Sequence, residues 1–180
     1  MCSRICCVTR LRCYSADSSS NAVNPTSFIM KIDRYPVIVG ETSMVFEFVS
    51  EGTHGSVSKL VIFSETHLHN FFNLGFGDRN KLTGEIDDEV VTNNGDSEKV
   101  LATVASTLYI FTEKFPDAMI FATGSTKART RLYRIGISNH IEDIKADFEV
   151  FGLAGEKEWQ SFEKQREYEA FLVKRKKVTL

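Results

Sequence analysis

Apolar and polar positions alternate in short runs over the first half of the folded region and then change period. Val45, Phe46 and Phe48 lie before a Gly-containing break, and Val57, Leu60, Val61, Ile62 and Phe63 follow it. That pattern predicts two strands around a turn within 43–65. "NFFNLGFGD" (70–78) predicts a third strand ending at Gly75 and Gly77, and "EIDDEVV" a short fourth. From residue 97 the spacing becomes helical: Val100, Leu101, Val104, Leu108 and Phe111 recur at i, i+4, i+8 and i+11. Asp96 or Ser97 is the expected cap, Glu98 suits the first-turn dipole, and Pro116 ends the helix near Lys114. "AMIFAT" (118–123) is an unbroken apolar run, as expected for a central strand covered on both faces. A second helix should start near Ser125 and stop at Gly136, and Ser138 should cap a short third helix through Asp147. "FEVFGL" (148–153) and "YEAFLVKRK" (168–176) read as closing strands, joined by a polar stretch containing Trp159. The order ββ(ββ)αβα(α)ββ describes one α/β or α+β domain, an antiparallel-to-mixed sheet with helices 97–114 and 126–135 packed on it.

Composition narrows this only slightly. A chain of 180 residues, 42% hydrophobic and 26% charged, is the size and make-up of one soluble globular domain. Fourteen Phe against one Trp point to a Phe-rich core. A net charge of -2 gives no general attraction to nucleic acid or anionic lipid. No run approaches the roughly 20 apolar residues that span a bilayer, so no membrane partner is expected and the expected location is the cytoplasm. All four cysteines (Cys2, Cys6, Cys7, Cys13) precede residue 14, where they cannot staple the body and lack the paired spacing of a zinc site. Residues 1–29 are Arg- and Ser-rich with Asp17 as their one acid. They read as an extension outside the fold, either non-native sequence ahead of Met30 or, alternatively, an organellar transit peptide or a functional tail. The globular domain is then 30–177. Leaving out Arg4, Arg10, Arg12 and Asp17, 19 basic residues face 23 acidic ones from Met30 onward.

The densest candidate chemistry is "ATGSTKARTRLYRIGI" (122–137), a strand end running through Gly-Ser-Thr into four cations with no acid. On a helix from Ser125, Lys127, Arg131 and Arg134 fall within roughly 60° of one another. Ala128, Leu132 and Ile135 would form the stripe facing the sheet, and Arg129 points elsewhere towards a partner of its own. A strand ending in Thr-Gly-Ser-Thr offers backbone N–H groups and hydroxyls at a positive dipole end, and Gly124 permits close approach. Gly124, Ser125, Thr126, Lys127, Arg129, Arg131 and Arg134 are therefore the candidate ligand-binding residues, for a nucleotide or a local nucleic-acid contact. The competing interpretation is a capped helix whose cations pair with Asp87, Asp88, Asp96 or Glu142. The spacing of a P-loop is absent. Asp87, Asp88, Glu89 and Asp96 could supply oxygens to a hard cation, but hairpin and cap chemistry explains them as well. His67 and His69 share a face if extended and have no third ligand nearby. No catalytic residue, metal set or cofactor is assigned, and whether the protein is an enzyme stays open.

Two resemblances add to this. "FNLGFGD", "GEIDDEVVTNNGDSEKVLATVASTLYIFTEKFPDA", "ATGSTKARTRLYRIGI" and "YEAFLVKRK" resemble a family of small bacterial proteins catalogued as a domain of unknown function. That likeness spans 30–177 and implies a bacterial cytoplasmic protein, with no activity attached; a non-enzymatic partner-binding module of a two-gene system is compatible with it. Residues 86–176 are also similar in element order to the GCN5-related acetyltransferases: strand, acyl-CoA loop, helix, strand, helix, two closing strands. "RLYRIGI" (131–137) resembles that family's Leu-Tyr-x-x-x-Gly-type pattern with altered spacing, which implies Tyr133 as its tyrosine acid. The pyrophosphate loop would fall on "TNNGDS" (92–97). Gly95 matches and Ser97 is small, but Thr92 stands for the usual Gln or Arg, and Asp96 sets a carboxylate beside a pyrophosphate.

Overall fold

A computed structural model describes residues 12–13, 33–87, 92–155 and 158–177. Short strands β1 (Arg12–Cys13) and β2 (Ile38–Val39) lead into β3 (Val45–Gly52), β4 (Gly55–Glu65) and β5 (Phe71–Arg79). The two-residue β6 (Ile86–Asp87), helix α1 (Ser97–Lys114), β7 (Met119–Ala122), α2 (Lys127–Asn139) and α3 (Ile141–Asp147) follow, before β8 (Phe148–Ala154), β9 (Glu158–Ser161) and β10 (Ala170–Arg175). One sheet runs in the order β1-β2-β3-β4-β5-β7-β10-β8-β9, with β6 paired to the far end of β5. Among the described residues every pairing is antiparallel except β5 with β7. Two parallel neighbours cannot be joined by a hairpin, and α1 is the crossover that joins them. The molecule is a single α+β domain with a mixed sheet.

The helices all lie on one face, since Leu74 and Phe76 of β5, Ala122 of β7 and Phe148 of β8 share a chamber with residues of α1, α2 and α3. On that face the core is aromatic, as the composition suggested. Phe111 of α1 stacks on Phe63 with centroids 4.0 Å apart and meets Phe72 edge-on at 5.0 Å. A second cluster gathers Phe148, Phe162, Tyr168 and Phe171 over the closing strands. One buried ion pair, Lys59–Asp78, sits side by side across β4 and β5 on the helix face. Asp78 is further held by the Thr92 hydroxyl, so the strand end is tied to the chain that enters α1.

The structure departs from the sequence expectations in ways that have physical causes. Strand β7 is central, between β5 and β10, but helices cover only one of its faces. Ile120 is fully buried, whereas Met119 and Phe121 on the other face are half-buried, Phe121 with the rings of Phe71 and Trp159 at 6.3 and 6.2 Å. Helix α2 does not stop at Gly136 but runs to Asn139, so Ser138 lies inside it and His140 caps α3. Gly136 serves packing instead: a Cβ there would stand 2.7 Å from Cδ1 of Leu101 on α1. The inward face of α2 carries Thr130, Tyr133 and Ile137, while Ala128 and Ile135 face solvent. The i, i+3, i+7 spacing is there, but a hydroxyl and a phenol occupy positions that the aliphatic residues alone would have assigned elsewhere. The polar stretch after β8 forms β9 on the edge, and its Trp159 is 41% exposed. Strand β1 pairs with β2 at the opposite edge; the rest of 1–29 lies outside the described residues, as do Asp88 and Glu89. Among the described residues no helix is long and apolar enough to cross a membrane, which does not bear on strands.

Candidate functional site

Strands β5 and β7 are the parallel pair, and the chain leaves the carboxyl end of each for a helix on the same face of the sheet. Their pairing covers only Phe71–Asn73 with Met119–Phe121, so β5, still paired with β4, continues past the end of β7. The chain after β5 returns through 92–96 into α1, and the chain after β7 passes through 123–126 into α2. Both helices thus begin at the same end of the sheet. Their first turns line one cleft of about 70 Å³, bordered by Thr92, Asp96, Ser97, Arg129 and Tyr133 together with Phe76 of β5.

The start of α1 is held open by its own loop. Asp96 occupies the cap position but makes no capping bond. Its Oδ2 accepts from the hydroxyls of Ser50 at 2.6 Å and Tyr35 at 2.8 Å instead. Asn94, 2% exposed, donates through Nδ2 to Ser50 Oγ and the Gly55 carbonyl, and its Oδ1 takes the N–H of His54 at 2.7 Å. The loop is therefore fastened to the β3–β4 hairpin. Gly52 makes the fit possible, because a Cβ there would lie 1.9 Å from the Asn94 carbonyl oxygen. Gly95 completes the turn at φ 79°, a conformation that favours glycine. With Asp96 turned towards β3, the N–H groups of Ser97, Glu98 and Lys99 find no acceptor among the described residues. Uncapped N–H groups at the positive end of an 18-residue helix are suited to an anion.

The start of α2 is organised differently. Thr126 adopts an extended backbone, and its side chain accepts from Arg129 N at 3.2 Å. The buried Thr130 hydroxyl accepts the N–H of Gly124 at 3.1 Å and lies 3.2 Å from the Thr126 carbonyl. Gly124 does permit close approach, but of its own helix: a Cβ would sit 2.4 Å from Thr130 N. Ser125, Thr126, Lys127 and Arg131 are exposed. Neither the cleft nor the neighbouring chamber is lined by any of these four or by Arg134. Arg134 is mostly buried and ends on Glu167 at 3.1 Å, a carboxylate the sequence did not single out. Lys127 and Arg131 have no carboxylate within 4.0 Å among the described residues. Of the predicted set, only Arg129 reaches a concave surface; its guanidinium also donates to Ser125 Oγ at 3.3 Å.

Tyr133 stands at the centre. Its ring lies 5.9 Å from that of Phe76, and both rings, with Leu101, also border an apolar chamber of about 110 Å³ beneath the helices. Cleft and chamber are neighbours that share these three residues as a common wall. Burial raises the Tyr133 phenol above its ordinary pKa, with nearby Arg129 opposing, so it keeps its proton at neutral pH. No hydrogen bond to its hydroxyl is found among the described residues. The remaining candidates do not converge. No group of three His, Cys, Asp or Glu positioned for a metal occurs among the described residues, and His67 and His69 are exposed. Sequence reasoning passed over Ser50, Tyr35 and Asn94, whose signal was limited to "TNNGDS", a turn with one more buried polar group than a turn needs.

A family model matches residues 31–176, and the chain belongs to that family, a family of unknown function (DUF6934). No curated protein and no solved structure matches the chain.

Proposed function

We propose that the chain binds a phosphate-bearing thioester of the acyl-coenzyme A class in the cleft at the start of α1, and transfers its acyl group. The observation that carries this is the uncapped first turn of α1 facing a cleft that is separated from an apolar chamber only by Phe76, Leu101 and Tyr133. A ligand suited to it has a phosphate at one end and an apolar arm at the other. The order from β5 onward is compatible with the same class once the short elements β6, α3 and β9 are set aside: strand, loop 92–96, helix, strand, helix and the closing strands β8 and β10. Asp96 is less of an obstacle than its position in the chain suggests, since its Oδ2 is occupied by the Ser50 and Tyr35 hydroxyls.

In this reading the pyrophosphate accepts from the N–H groups of Ser97 to Lys99, and Arg129 adds donors at the rim. The acceptor's nucleophile bonds to the thioester carbonyl carbon, the C–S bond breaks, and Tyr133 protonates the departing thiolate. The proton released by the acceptor restores the phenol. The direct test is calorimetric titration with coenzyme A, acetyl-coenzyme A, ATP and a short RNA across salt concentrations. The coenzyme A species should bind in the micromolar range, with Tyr133→Phe binding unchanged and transfer lost. Binding of RNA alone, abolished by Lys127→Ala/Arg131→Ala, would replace this reading with a nucleic-acid contact on the exposed side of α2.

A further inference from the structure

The chamber behind Tyr133 is larger than an acetyl group needs. Its walls come from seven elements, and the side chains in it are almost all hydrocarbon: Leu74, Leu101, Ala105, Ile137, Ile144 and Val173 among them. Of the polar groups on its wall, Tyr109 donates its hydroxyl to Asp147 at 2.9 Å, whereas the buried His140 Nε2, 3.6 Å from Glu98, makes no hydrogen bond among the described residues. An apolar space of this kind is poor for water and good for hydrocarbon; an engineered cavity of about 150 Å³ holds benzene. By that scale a chamber of about 110 Å³ takes an aliphatic chain of about four carbons. Its one shared border with the phosphate cleft is Phe76, Leu101 and Tyr133, where a thioester sulfur would have to pass.

We infer that the chamber is the acyl-chain site, and that the ligand carries a short aliphatic acyl group of about four carbons, preferred over acetyl. The inference rests on the acyl-coenzyme A reading of the cleft and adds to it the substrate class. Its physical basis is transfer of each methylene from water to hydrocarbon walls, which strengthens binding about four-fold per carbon. The gain ends when the chamber is full. Gly136 and Ala105 set the capacity from the helix side, since both border the chamber and neither fills it with a side chain of size.

The experiment is a calorimetric series with coenzyme A and its acetyl, butyryl, hexanoyl and octanoyl thioesters. Affinity should rise about fifteen-fold from acetyl to butyryl and then level or fall by octanoyl. Ala105→Leu, which fills the chamber, should erase the acetyl-to-butyryl gain while coenzyme A itself binds as before. Leu108→Ala, which enlarges it, should move the optimum to a longer chain, and serves if the filled variant does not fold. Thioesters that all bind within two-fold of one another would overturn the acyl-chain site and leave the acyl-coenzyme A reading standing. So would a gain that continues unbroken to octanoyl. No binding of any coenzyme A species would overturn both.

Discussion

Helices α1 and α2 begin at the same end of the sheet, and their first turns face one cleft, yet the two starts are built in opposite ways. "TGSTKAR" at α2 carries hydroxyls, a glycine and cations, everything an anion site is expected to show. Most of that inventory is spent locally: Thr126 caps Arg129 N, Thr130 takes Gly124 N, and Gly124 lets the turn close. "NNGDSEK" at α1 reads as an ordinary capped start, but Asp96 gives its side chain to Ser50 and Tyr35, two residues from distant parts of the chain. The lesson is that residue type tells which groups can cap a helix, whereas tertiary partners decide whether they do. A carboxylate with two buried hydroxyls within reach gains more there than at its own helix end, because hydroxyls left unpaired in the core would cost more.

The largest effects should separate the two starts by charge. Ser97→Asp places a carboxylate in the first turn of α1, where the dipole favours it, so thermal stability should hold or rise slightly. Ligand affinity should fall by about two to three orders of magnitude, from like charges about 4 Å apart near a surface. Ala128→Asp, the matching change at α2, should alter affinity by less than about three-fold, because its carboxylate points to solvent and is screened. Equal losses in both variants, read by calorimetry, would erase the distinction.

Glycine substitutions come next. Gly124→Ala drives a Cβ into the backbone of α2 and should cost about 3 kcal/mol in urea unfolding. Gly95→Ala meets only ordinary contact with Thr53 but a positive φ, and should cost about 1 kcal/mol. A smaller effect distinguishes the caps. Thr126→Ala should cost about 1 kcal/mol of stability and leave ligand affinity alone. Asp96→Ala should also destabilise, through the orphaned hydroxyls of Ser50 and Tyr35 rather than through any lost cap.

The smallest effect is in pH. Burial raises the Tyr133 phenol, so its acid form persists through the neutral range, and transfer should decline only above the ordinary tyrosine value of about 10. The same sign holds for Tyr109, raised by burial and by Asp147 beside it. Its contribution to stability is complete below about pH 10 and is lost above it, where the unfolded chain ionises first. A melting temperature that falls between pH 8 and 9 would point to a different group.

Long periodic segments were legible from the sequence because their burial is written into the residues themselves. The apolar spacing of Val100, Leu101, Val104, Leu108 and Phe111 located α1, and the runs around Phe46, Phe63 and Phe72 located β3 to β5. What was not legible depended on partners. Gly136 looked like a helix stop because glycine usually is one, and only the approach of Leu101 explains a glycine inside α2. The buried stripe of α2 was misassigned because Thr130 and Tyr133 are polar by type, although one is satisfied by Gly124 and Thr126 and the other borders the chamber. The short strands β2 and β9 gain their pairing from neighbours and carry too few residues for a pattern. For the site, the helix-end chemistry was readable at both starts, but the choice between them lay in Ser50, Tyr35 and Asn94, none of which has a motif.

The central claim is that the anion is held at the start of α1 and not at that of α2. The most direct measurement is a backbone amide chemical-shift titration with coenzyme A. The account predicts large downfield shifts for the amides of Ser97, Glu98 and Lys99, which acquire acceptors, with small changes at Lys127 and Ala128. Large shifts at Lys127 and Ala128 with Ser97 to Lys99 unmoved would contradict it.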